Sequence, residues 1–182
     1  MNGNRMFNFK AIYMKNLTIL LILFFTTISP SYSQKNITGF MGIEFGESPE
    51  CCIKKIKERF PDISYEIKND EIFVFDIDFA GIKWTLLRLE YFDNKLCSAH
   101  FGIHSESDME DIYQISLSKL ERSYGVTFSS EGTYSYIRNN NAILSIKYSK
   151  DDESSKKSNI ILISYSDDRL RELKSERENS DL

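Results

Sequence analysis

Residues 82–104, IKWTLLRLEYFDNKLCSAHFGIH, constrain the fold more than any other stretch. Ile82, Trp84 and Leu86 alternate with Lys83 and Thr85. The phase then slips at Leu86-Leu87 and resumes as Leu87, Leu89 and Tyr91, with Arg88 and Glu90 between them. Period-two alternation marks a half-buried strand, and a one-residue slip marks a bulge or a strand buried on both faces. Asp93-Asn94-Lys95 follows, rich in residues that tolerate the left-handed backbone of a tight turn. Beyond it Cys97, Ala99, Phe101 and Ile103 alternate with Leu96, Ser98, His100 and Gly102. The stretch is therefore a long hairpin, and it carries the only tryptophan and both histidines. An isolated hairpin is marginal in water, so further strands and helices must cover it.

Upstream, residues 17–28 form a nearly continuous apolar run preceded by Arg5, Lys10 and Lys15 and followed by Pro30 and Ser31-Tyr32-Ser33. A basic start, a short apolar centre and small residues are the signature of a secretory signal peptide, which predicts cleavage after Ser33. Met14 offers an alternative start to the same signal. Residues 1–33 hold three basic and no acidic residues, so their removal takes the net charge from −4 to −7. That balance argues against nucleic acid and against anionic lipid as partners. The remaining 149 residues suffice for one core. The wealth of Ile, Lys and Asn suits an AT-rich bacterial genome, with the product periplasmic or secreted.

Within 34–166 the pattern predicts a single α+β domain. Residues 37–45 read as a first strand, and Ser48-Pro49-Glu50 opens a helix whose stripe is Cys52, Ile53, Ile56 and Phe60, stopped by Pro61. Strands are expected at 63–67 and 72–79. Ser105 or Ser107 opens a second helix with Met109, Ile112, Tyr113, Ser116, Leu117, Leu120 and Tyr124 on one side, closed by Gly125. Strands follow at 126–129, 133–138, 142–149 and 159–166, with 149–158 a solvated loop. Residues 167–182 form a charged C-terminal helix or tail anchored only by Leu170 and Leu173. KKIKERF (54–60) and LSKLERSYG (117–125) each end a helix before a set of strands, which points to a helix-plus-meander repeat of three or four strands per unit. The economical fold is an antiparallel sheet of about six to eight strands with helices packed on one face.

Gly42-Ile43-Glu44-Phe45-Gly46-Glu47-Ser48 leading into a helix resembles the start of many small secreted bacterial domains of unknown function. The helix-plus-meander order is similar to the beta-lactamase-inhibitor-protein-like and outer-membrane-assembly lipoprotein folds. Those families begin each unit with two helices where one is found here, and the lipid-bearing cysteine is absent. The resemblance implies an envelope-located, non-catalytic role.

Chemistry-bearing groups are few. Cys52 and Cys97 would meet as a disulfide if helix one covers their side of the hairpin, contributing about 2–4 kcal/mol; otherwise they are buried thiols. His100 and His104 stand about 13 Å apart on a strand, too far for one metal ion, so neither a metal nor a cofactor is expected. Asp76 and Asp78 on one strand face would lie about 7 Å apart, within the range of paired acid–base carboxylates. Solvent-facing strands alternate in the same way. Tyr134, Tyr136 and Tyr148 would form an aromatic binding surface if the outer sheet face is uncovered. No nucleophile elbow, phosphate loop or zinc motif occurs. The leading expectation is an exported, non-enzymatic envelope protein that binds another protein through its sheet. The alternative is a small periplasmic hydrolase or ligand-binding protein using Asp76, Asp78 and His100.

Overall fold

The structure, a computed structural model, describes residues 35–69, 71–139, 141–151 and 158–180. The expected signal segment, 1–33, and residues 152–157 of the expected loop lie outside the described residues. Among the described residues ten strands and three helices follow one another as β1 (Gly39–Phe40), β2 (Ile43–Glu44), α1 (Pro49–Arg59), β3 (Tyr65–Lys68), β4 (Glu71–Phe79), β5 (Ile82–Phe92), β6 (Lys95–Ser105), α2 (Glu110–Tyr124), β7 (Ser129–Glu131), β8 (Tyr134–Asn139), β9 (Ala142–Asp151), β10 (Ser158–Asp167) and α3 (Asp168–Ser180). Eight strands make one antiparallel sheet in the order β3-β4-β5-β6-β10-β9-β8-β7. Each half is one helix followed by a four-strand meander, and the halves join through their last strands, β6 and β10. This is the α+β antiparallel architecture that the alternation and the helix stripes dictate.

The central hairpin turns at Asp93 and Asn94, with φ of 48° and 60°, which short polar side chains tolerate. Its phase slip is matched on the neighbouring strand. Val74 pairs with Leu87 and Ile77 pairs with Trp84, and all four are buried in one core although the members on each strand stand an odd three positions apart. Asp76, at φ 54°, lies between Val74 and Ile77 and turns the chain over. The core face thus keeps Trp84, Leu87, Leu89, Phe101, Ile163 and Tyr165 on one side. Phe101 sits at its centre, stacked on Phe79 at 4.4 Å and edge-on to Trp84 and Phe40 at 5.9 and 5.6 Å.

Residues 37–45, read as one strand, form instead a tight hairpin of two-residue strands. Met41 and Gly42 carry positive φ, and a Cβ on Gly39 would lie 1.9 Å from the Ile43 carbonyl oxygen, so only glycine fits that crossing. Ser48 caps α1 by accepting from the Cys51 N–H, and Cys52 and Ile56 turn into the core. Helix α2 starts at Glu110, later than Ser105 or Ser107, because β6 runs on to Ser105. Its Tyr113 stacks on Tyr148 at 5.9 Å and bonds Ser135 at 2.9 Å, and Gly125 at φ 65° closes it. Helices α1 and α2 pack on this face. Helix α3 lies across the other, where Lys174 and Arg177 meet Glu90 and Asp93.

Candidate functional site

Strand register arranges the second sheet face as a lattice of rows. The first runs Glu71, Glu90, Ser98, Ser166, Ile143 and Arg138; the second Phe73, Arg88, His100, Ser164, Ser145 and Tyr136; the third Phe75, Leu86, Gly102, Leu162, Lys147 and Tyr134. On the central strands β6 and β10 exposure rises from the first row to the third. Ser98 and Ser166, in the first, are buried against α3, and their small side chains allow the helix close. Leu162 and Ile160 in the open part are 36% and 43% exposed, and a Cβ on Gly102 would meet nothing within 4 Å. Tyr134 and Tyr136 stack at 5.5 Å on the same face, half-buried at its rim.

The second row carries the strongest electrostatics. Arg88 donates to both oxygens of Glu71, at 3.0 and 2.6 Å, and lies 2.8 Å from Glu90. His100 Nε2 faces Glu90 Oε1 at 3.4 Å while Nδ1 meets the Ser164 hydroxyl at 2.9 Å. A carboxylate only accepts, so a proton on Nε2 donates to Glu90, while Nδ1 and the Ser164 hydroxyl share the second hydrogen bond. Lys174 of α3 adds a cation 3.8 Å from Glu90. The histidine hydrogen bond, and then the surrounding cations, hold the Glu90 carboxyl down at about 2, against the opposing effect of burial.

The residues singled out from the sequence separate. Asp76 is exposed, with Lys83 at 3.8 Å, and Asp78 is exposed on the same strand; His100 lies instead between Glu90 and Ser164. Tyr134 and Tyr136 share the open face, but Tyr148 does not. It lies opposite Ile161 on the core face, 1% exposed, where its hydroxyl accepts from the Met109 N–H and donates to Asp108. Of the two alternatives for Cys52 and Cys97, a disulfide or buried thiols, the structure has the buried thiols, and Cys51 is free as well. The register shift after Glu90 makes Cys97 the extra residue of a bulge, turning its thiol away from the Tyr91 side, where Cys52 sits, toward α3. Burial pushes the Cys52 thiol up to about 11 and raises the Cys97 thiol too. Asp108 is tied to Lys150 at 3.1 Å and to Tyr148. Among the described residues no cluster of His, Cys, Asp and Glu has the grouping to hold a metal, and no helix is long and apolar enough to cross a membrane.

Glu90 and Ser164 escaped the sequence reading. Arg88, Glu90 and His100 are polar positions of alternating strands joined by a short turn, so the local signal for this group existed. Ser164 had none, because its pairing with His100 depends on the β6–β10 contact. Comparison of the chain with family models, with curated proteins and with solved structures finds no match, so its chemistry is read from geometry.

Proposed function

We propose that this chain is an exported, non-catalytic module of the bacterial envelope that binds another protein through the open part of its sheet. The observation that carries the reading is the uncovered band around Gly102. Leu86, Leu162, Ile160, Tyr134 and Tyr136 border an open strip, with Lys147 and His104 among them. An apolar and aromatic centre with scattered polar groups is the composition of a protein-binding patch. The acidic mature chain, signal-like N-terminus and lack of catalytic motifs fit the same reading. A photo-crosslinking residue at Leu162 should capture a partner in the envelope of the native host. The same residue at Ile115, an exposed position on α2, should not. Equal capture at both positions would count against the face.

A hydrolytic reading draws on the hydroxyl–imidazole–carboxylate chain Ser164–His100–Glu90. Against it, Ser164 lies in mid-strand with partners on both sides, Ser145 and His100, so the neighbouring backbone N–H groups belong to the sheet and leave no oxyanion donors beside it. Ser164→Ala should leave partner capture intact; a hydrolytic activity abolished by that change would favour the second reading.

A further inference from the structure

We infer that α3 is a salt-sensitive strap, opening locally to extend the binding face from the open band to the Glu90 row beneath the helix. The inference rests on the proposed use of this face and names its regulation. No residue of α3 is buried; Leu173 is 42% exposed, and Leu170 is only partly covered. The helix is held instead by charge. Arg138 lies 3.3 Å from Asp168 at its start, Lys174 reaches Glu90 at 3.8 Å, and Arg177 grips both oxygens of Asp93 at 2.5 and 3.1 Å. Arg177 also lies over the Phe92 ring at 4.6 Å. Asp93 and Arg177 are both more than half exposed, the setting in which ion pairs are weak and screened by salt.

What the strap covers differs from a core. Beneath it lie Ser98 and Ser166, buried hydroxyls 3.5 Å apart, and the Cys97 thiol. Water can solvate this polar layer when the helix lifts, so opening exposes little apolar surface. The rest of the domain keeps its own core on the opposite face, where α1 and α2 pack. A helix docked by surface charge over a polar layer belongs to the low-stability end of a fold's local openings.

Two buried thiols report the motion. Cys97 lies under α3, whereas Cys52 is buried on the other face, beside Tyr91. In the full chain carrying Cys51→Ser, alkylation by iodoacetamide should be followed at each cysteine by mass spectrometry, in low salt and in 0.5 M NaCl. Lys174→Ala and Arg177→Ala should be tested alongside. The strap predicts that Cys97 reacts on the order of tenfold faster in high salt and in each variant, with Cys52 unchanged. A Cys97 rate indifferent to salt and to both substitutions overturns it. A parallel rise at Cys52 also overturns it, because the opening would then be global. No partner enters the measurement, so its failure would leave the Leu162 crosslinking result untouched, while failure of that crosslinking would leave the opening of α3 standing and remove the binding role given to it.

Discussion

Glu90 and His100 meet diagonally across the β5–β6 pair, with carboxylate oxygen and Nε2 3.4 Å apart. The other ring nitrogen holds Ser164 on β10, and the same carboxylate meets Lys174 on α3. One imidazole and one carboxylate therefore link three strands and the last helix on the face opposite the core. The polar residues of this face fasten the two halves of the sheet where the meanders meet.

The carboxylate's depressed value sets a pH dependence with a definite sign. Glu90 titrates near 2 in the fold and near 4.5 when exposed. Its contribution is fully present above about 4.5 and disappears as pH falls toward about 2. Its side chain is 16% exposed while Arg88 is 42% exposed, so solvent screening trims the contribution to about 2 kcal/mol. Glu90→Gln should lower stability by that amount at pH 7, and the gap from wild type should close between pH 4.5 and pH 2 in urea melts. A gap unchanged across that window would show that the ionised carboxylate is not what stabilises the fold.

Asp76 tests the backbone reading against the catalytic one. It sits at φ 54° inside a strand, which glycine adopts freely and a β-branched residue does not. Asp76→Gly should stay within about 0.5 kcal/mol of wild type, while Asp76→Val should lose about 1–3 kcal/mol. Equal stability of the two variants in thermal melts would remove the explanation given for the Val74–Ile77 phase change.

Phe101 is the centre of the ring cluster, fully buried with Phe40, Phe79, Trp84 and Tyr165 around it. Phe101→Ala should cost about 3–5 kcal/mol and Phe101→Leu distinctly less, because leucine refills most of the void. Comparable losses for both, read from denaturant midpoints, would mean that aromatic geometry rather than volume holds this centre.

What could be read beforehand follows the range of the interaction. Ser48-Pro49, Gly125 and Asp93-Asn94 are local signals, and helix α1, the end of α2 and the hairpin turn follow them. The slip at Leu86-Leu87 was visible because both phases are apolar. Its counterpart, Val74 against Ile77, was equally visible, but the two aspartates beside it looked like a solvent-facing pair, and no local rule marks Asp76 as left-handed. Ser164 opposite His100 and Cys97 on a bulge depend on strands meeting across the sheet, and a one-residue shift there changes the face. The same ambiguity assigned Tyr148 to the surface.

The three tyrosines should therefore separate by experiment. Tyr148 is 1% exposed, and its hydroxyl serves the start of α2, accepting from the Met109 N–H at 3.3 Å and donating to Asp108 at 2.9 Å. Removing only the oxygen leaves the ring stacked on Tyr113 but strips a partner from a buried N–H, so Tyr148→Phe should cost about 1–3 kcal/mol. Tyr134 and Tyr136 stack on each other at the rim of the other face, each still partly open to water. Their hydroxyls support no helix, so Tyr134→Phe and Tyr136→Phe should change stability by less than about 0.5 kcal/mol. Alanine at either should weaken partner capture at Leu162 far more than it lowers the melting temperature. Urea melts of the three phenylalanine variants decide the matter: a Tyr148→Phe loss no larger than the other two would mean that the hydroxyl does not hold α2 in place.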